Sequence, residues 1–206
     1  MNEQLKSKID ALDVSTISVE RQERLMHVVA AMDSKIKRGE LVNLVFVCTH
    51  NSRRSQFSQI WTHILAEYFG IHSVYSYSAG TEATALYPAV LDALREDVCV
   101  EQSVGDGTNP HYLLKCGENS PLLVCFSKTL ESTINPRTNF IAIMTCSEAD
   151  SGCPTVTGAS HRISLPFEDP KKSDGTAGQS GAYSATSQLI ATELKFVFLQ
   201  LKESRD

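Results

Sequence analysis

The segment CTHNSRRS, residues 48–55, sets a cysteine six positions before an arginine, with a serine directly after it. It follows an apolar run, residues 41–47, and precedes an amphipathic stretch. Between a strand and a helix, successive backbone N–H groups can curl around a tetrahedral oxyanion, and the helix N-terminus adds positive potential. Arg54 can grip two oxygens of such an anion at once. The same field stabilises a thiolate, so Cys48 is expected to be a nucleophile, with Ser55 donating a hydrogen bond to its sulfur. Thr49, His50, Asn51, Ser52 and Arg53 complete the loop. The plainer reading makes Cys48 a strand-end core residue and the arginines surface charges.

The surrounding pattern favours the loop. Residues 41–47 (LVNLVFV) read as a strand buried on both faces. Phe57, Ile60, Trp61, Ile64, Leu65 and Tyr68 then recur at helical spacing, and Gly70 closes the helix. Further strands are expected at 73–78, 121–126 and 139–145, and helices at 88–96 and 184–202. Strands alternating with helices make an α/β protein with a parallel sheet and helices on both faces. Ligands in such sheets bind beyond the carboxyl ends of the strands, where Cys48 and Cys146 both fall. Residues 171–181, rich in Gly, Ser and Lys, read as a long, flexible, lid-like loop. Residues 1–40 read as a helical extension. Ser18 is the expected N-cap of its main helix, Leu25, Val28, Val29, Met32 and Ile36 its apolar stripe, and Gly39 its stop.

The chain's 206 residues suit one α/β domain, and its net charge of −5, without any basic block, speaks against nucleic acid. No apolar run approaches the roughly 20 residues that span a bilayer. The N-terminal residues lack a signal-peptide stretch, so the expected location is the cytoplasm. Six cysteines, at 48, 99, 116, 125, 146 and 153, in a reducing compartment suggest catalysis or redox chemistry rather than a disulfide framework. There is no CxxC pair and no His/Cys cluster at zinc spacing, so metal is disfavoured. No cofactor is expected.

The loop resembles that of the low-molecular-weight protein tyrosine phosphatases and of the thioredoxin-coupled arsenate reductases built on the same fold. The resemblance covers residues 42–203. It implies a single three-layer domain over 41–206, with a four-stranded parallel sheet in the order 2-1-3-4, and leaves 1–40 as an extension. It also implies that Asp169, in Asp169-Pro170, is the general acid that protonates a leaving oxygen. The segment TCSEADSGCP, residues 145–154, resembles the redox segment of those reductases, including the following proline. In that scheme Cys48 attacks arsenate, Cys146 attacks the Cys48 sulfur, and Cys153 carries the disulfide outward to thioredoxin. Glutathione with glutaredoxin is the other candidate reductant.

The alternative implied by the resemblance is a phosphatase that cleaves phosphomonoesters through a cysteinyl phosphate. Such a phosphatase needs one cysteine and usually follows Asp-Pro with aromatic residues; here Lys171 and Lys172 follow. A third reading is a non-catalytic anion sensor, which nothing in the sequence favours. The family usually has Gly at the position of His50. The reductases often have Cys at that of Arg53, and those that bind potassium tend to have Glu at that of Gln59. Cys125 reads as core, while Cys99 and Cys116 match no motif. The extension and the insertion over residues 98–120 are candidates for a homodimer interface or a shield over the site.

Overall fold

The computed structural model describes residues 1–95, 99–104, 107–152 and 155–204. Its centre is a parallel sheet of β1 (Val42–Cys48), β2 (Val74–Gly80), β6 (Phe140–Met144) and β7 (Ala159–Ser164), in the spatial order β2-β1-β6-β7. Counting only these four strands, the order is 2-1-3-4. β1 runs in register with β2 from Val42↔Val74 to Cys48↔Gly80 and with β6 from Leu44↔Ile141 to Val47↔Met144. Every residue of β6 is buried, and all of β1 but Asn43, as both faces of the two central strands are covered.

The two faces are covered unequally. Leu44, Phe46, Ile141 and Ile143 share one large core with α1 (Glu3–Ala11), α2 (Val19–Lys37), α3 (Arg54–Tyr68), α4 (Pro88–Leu94) and α6 (Gln179–Glu203). On the other face Val45, Val47, Ala142 and Met144 meet the short α5 (Ser147–Gly152) and the segment around Val156. Cys48 and Cys146 belong to this second, smaller cluster.

The N-terminal helices are part of the main core. Ser18 caps α2 by accepting from the Arg21 N–H at 3.3 Å, and Gly39 follows at φ 71°. Leu5, Ile9, Leu25, Val28 and Met32 are fully buried. At about 2 kcal/mol for each such side chain, their burial is comparable with the whole stability of an ordinary domain. Arg21 pairs with Glu193 of α6 at 2.8 Å. Lys35 is fully buried and donates to the backbone and side-chain oxygens of Asn139 at the start of β6.

Two expectations need correction. The strand expected at 121–126 is only β5 (Leu123–Cys125), and it lies outside the parallel sheet. It pairs with β4 (His111–Lys115), which pairs with β3 (Cys99–Val104), in a separate antiparallel sheet. The third place in the main sheet, beside β1, is filled by β6, and the fourth by β7, whose polar sequence ASHRIS carries no apolar run because it is the half-exposed edge strand. The lid-like loop is also shorter than its composition implies. Pro170–Ser173 forms a 3-10 turn and α6 begins at Gln179, so little free chain remains.

Candidate active site

β1 delivers Cys48 to the carboxyl edge of the sheet, and α3 starts six residues later. Between them, each carbonyl accepts a bond from outside the loop. Cys48 O receives Thr81 N at 3.3 Å, Thr49 O receives Glu82 N at 3.1 Å, and Ser52 O receives Tyr87 N at 3.1 Å. His50 O receives Ser127 Oγ at 2.7 Å, and Asn51 O receives Gln56 Nε2 at 2.9 Å. Carbonyl and N–H of one peptide unit point in opposite directions, so carbonyls held outward direct the N–H groups at the loop's centre. No side chain caps α3, so its first N–H groups remain for an anion.

Asn51 organises the sulfur's surroundings. It sits at φ 47°, a left-handed conformation that Asn tolerates better than most residues. Its Oδ1 accepts from Lys128 N at 2.9 Å, and its Nδ2 donates to Ser55 Oγ at 2.8 Å. Ser55 Oγ lies 3.1 Å from Cys48 Sγ. Because Ser55 already accepts from Asn51, its own hydroxyl proton is free to point at the sulfur. Cys48 is 4% exposed.

Arg54 and Asp169 meet at the mouth. Arg54 Nη2 donates to Asp169 Oδ2 at 2.7 Å, and its Nη1 to Phe167 O at 3.1 Å. Three of the guanidinium's five N–H groups are left for an oxyanion. Asp169 Oδ1 also accepts Lys171 N at 3.0 Å, so the carboxyl is held on two sides. Lys171 and Lys172 are exposed in the turn that follows. Arg53 faces away from this group: it donates to the Tyr183 hydroxyl and to Asp174 Oδ2, both at 2.5 Å, and lies over the Tyr87 ring. It thereby fastens the 171–181 segment to the loop. His50 Nε2 lies 2.9 Å from Glu82 Oε1 on the exposed side.

Two residues behind the loop escaped the sequence reading. Gly80 ends β2, where a Cβ would stand 2.7 Å from Thr49 O, 2.9 Å from Asn51 N and 2.4 Å from Glu82 O. Gly80→Ala is therefore expected to displace the loop backbone, lowering stability by about 2 kcal/mol. Urea unfolding with and without phosphate checks this, because the variant should also lose most of the stabilisation that phosphate gives. The second residue is Lys128, buried with Nζ 3.1 Å from Ser78 Oγ, 3.3 Å from Phe126 O and over the Phe126 ring. Burial pushes its pKa down to about 8 from 10.5. Below pH 8 both folded and unfolded chains carry this proton. Between 8 and 10.5 only the unfolded chain does, so the cost of the buried charge fades as pH rises. Relative to Lys128→Met, the natural chain should thus gain stability across that window, by about 3 kcal/mol at most. Paired urea titrations of the two proteins on either side of the window measure the difference.

Cys146 follows β6, the strand beside β1, and Thr145 N donates to Val47 O at 2.7 Å. Its sulfur accepts Ala149 N at 3.3 Å and lies 3.5 Å from Thr49 Oγ1, so a loop residue touches both thiol neighbourhoods. Cys146 is fully buried at the head of α5. α5 is clasped to β7: Arg162 Nη2 lies 2.7 Å from Asp150 Oδ1 and donates to Asp150 O at 2.5 Å, while Ser164 Oγ donates to Asp150 Oδ2 at 2.6 Å. Cys153 and Pro154 lie outside the described residues. Cys125 is fully buried in β5, and burial pushes its thiol up to about 12, which leaves it inert.

No family model matches the chain. It is 30% identical over 135 residues to an arsenate reductase of Oceanobacillus iheyensis, covering 65% of this chain and 77% of that protein. It is 27% identical over 128 residues to an arsenate reductase of Staphylococcus aureus strain Newman, covering 62% and 77%. Among solved structures, a low-molecular-weight protein tyrosine phosphatase of Bacillus subtilis superposes with a TM-score of 0.53 at 18% identity. That match covers 80% of this chain and all of the other, and shows a shared fold. No helix among the described residues is long and apolar enough to cross a membrane.

Proposed function

The chain belongs to the arsenate reductase family, on the fold of the low-molecular-weight phosphatases, and we propose that it reduces arsenate to arsenite through Cys48, Cys146 and Cys153. One observation carries this reading. A second buried thiol, Cys146, borders the oxyanion loop through Thr49, and a hydrolase has no use for it.

Arsenate matches phosphate in shape and charge, so the loop N–H groups and Arg54 hold its oxygens. The Cys48 thiolate attacks arsenic. An As–OH bond breaks, and Asp169 gives the proton that lets the oxygen leave as water. The Cys146 thiolate then attacks Cys48 Sγ. The S–As bond breaks with its electron pair going to arsenic, which falls from +5 to +3 and leaves as arsenite. The Cys48–Cys146 disulfide remains. Cys153 attacks Cys146 Sγ and releases the Cys48 thiolate, and thioredoxin reduces the Cys146–Cys153 pair. α5 lies between the two cysteines in sequence, and in this scheme it opens for the last exchange. The cycle needs reduced thiols at rest, which fits the cytoplasm.

The test is turnover of arsenate with thioredoxin, thioredoxin reductase and NADPH. The reading expects arsenate-dependent NADPH oxidation that Cys153→Ser abolishes. Hydrolysis of phosphotyrosine at comparable efficiency, unaffected by Cys146→Ser and Cys153→Ser and without any arsenate turnover, would establish the phosphatase alternative instead.

A further inference from the structure

His63 and Glu67 stand one turn apart on α3, in the half farther from the oxyanion loop, and Cys116 follows β4. An imidazole nitrogen, a carboxylate oxygen and the thiol sulfur of these three residues all lie within 4.8 Å of one another. We propose that His63, Glu67 and Cys116 form a zinc site that ties α3 to the antiparallel β3–β5 insertion. Cys116 has no part in the arsenate chemistry proposed above, and the inference stands apart from that reading.

The donor set is what zinc takes: one thiolate, one imidazole and one carboxylate. Zinc bond lengths of about 2.0–2.3 Å imply edges of roughly 3.3–3.7 Å between ligand atoms. Cys116 Sγ and Glu67 Oε2 are already 3.4 Å apart, so closing the site needs only small side-chain shifts. The ligands also have the supporting contacts of a metal centre. His63 Nε2 lies 3.2 Å from Pro121 O; as a donor there, it leaves the imidazole lone pair on Nδ1. Glu67 Oε1 accepts Ser120 Oγ at 2.7 Å; the Met1 ammonium, 3.6 Å from the same oxygen, is a cation the metal would have to displace. Ser120 and Pro121 both belong to the insertion side, so these contacts and the metal would act along one seam.

Cys116 Sγ is buried against the Glu67 carboxylate, so a divalent cation placed between them would contact both. On binding, the thiol proton is released to solvent and the sulfur becomes thiolate. A groove lined by His63, Glu67, His72 and Asn119 opens beside the cluster and leaves the fourth zinc position to water. The sequence concealed this set because 49 residues separate Glu67 from Cys116.

The test first removes the three thiols of the proposed arsenate chemistry. The full chain carrying Cys48→Ser, Cys146→Ser and Cys153→Ser is titrated with zinc by calorimetry and with cobalt as a spectroscopic probe. One equivalent is expected to bind, with a sulfur-to-cobalt charge-transfer band, and zinc should raise the thermal midpoint. Cys116→Ser should abolish the band. His63→Ala, at a half-buried position that leaves the fold intact, should weaken zinc binding at least 10-fold and remove the rise in midpoint. Failure of the triple-serine chain to bind zinc stoichiometrically overturns the proposal, and so does binding that survives His63→Ala. If Cys116→Ser does not fold, the His63→Ala comparison decides alone.

Discussion

Cys48→Ser is expected to end both arsenate turnover and p-nitrophenyl phosphate hydrolysis, whereas Cys146→Ser ends only the first. The asymmetry follows from where the sulfurs sit. Cys48 lies 3.1 Å from the Ser55 hydroxyl inside the loop, where the proposed mechanism has a phosphoryl or arsenyl group attacked. Replacing its sulfur by a hydroxyl removes the nucleophile, and losses on the order of 10⁴-fold or more accompany removal of an essential nucleophile. Cys146 lies against Thr49 Oγ1 and outside the cradle, so its loss leaves phosphate binding and the first displacement intact. With arsenate, the Cys146→Ser enzyme should stop after forming the Cys48 adduct and release no arsenite. The coupled NADPH assay and the p-nitrophenyl phosphate assay, run side by side, separate the two variants. Equal loss of phosphate-ester hydrolysis in both would sink the assignment.

Arg54→Lys is expected to lower kcat/KM for arsenate by about 10²–10³-fold, although the charge is retained. The guanidinium holds the Asp169 carboxylate and the Phe167 carbonyl, and in the proposed reaction it would grip the incoming anion as well. An ammonium offers three donors from one point and cannot keep all of these contacts. Two losses should therefore appear together. Phosphate, as a competitive inhibitor, should bind more weakly, and kcat should fall because Asp169 is no longer held over the leaving oxygen. A variant with unchanged kcat and raised KM alone would mean that Arg54 binds the anion without positioning the acid.

The loop was legible because its signal is dense. A β-branched run, a polar segment and a helical stripe follow one another within 28 residues, and the structure places β1 and α3 around Cys48 as that order requires. The strand order of the main sheet was also legible, through the resemblance. β7 was not, because an edge strand reading ASHRIS offers no apolar alternation. The apolar residues 121–126 misled for the opposite reason: Leu123 and Cys125 are buried, but against α3 and β4 instead of within the parallel sheet. Lys128 could not be foreseen, since its role depends on Asn51 and Ser78, which lie 77 and 50 residues away. The same holds for Tyr183 and Asp174, which brace Arg53 from the far end of the chain.

The three oxygens of Asp150 that Arg162 and Ser164 hold give the resting enzyme a kind of restraint. Were α5 loose, Cys146 could join its downstream neighbour whenever a mild oxidant passed, and reductant would drain away with no arsenic consumed. In the proposed relay, a helix pinned to the sheet's edge would keep that idle loop shut and leave its release to be set off by the first disulfide. The pace of the whole cycle would then follow how readily a six-residue coil lets go, as well as how fast sulfur meets arsenic.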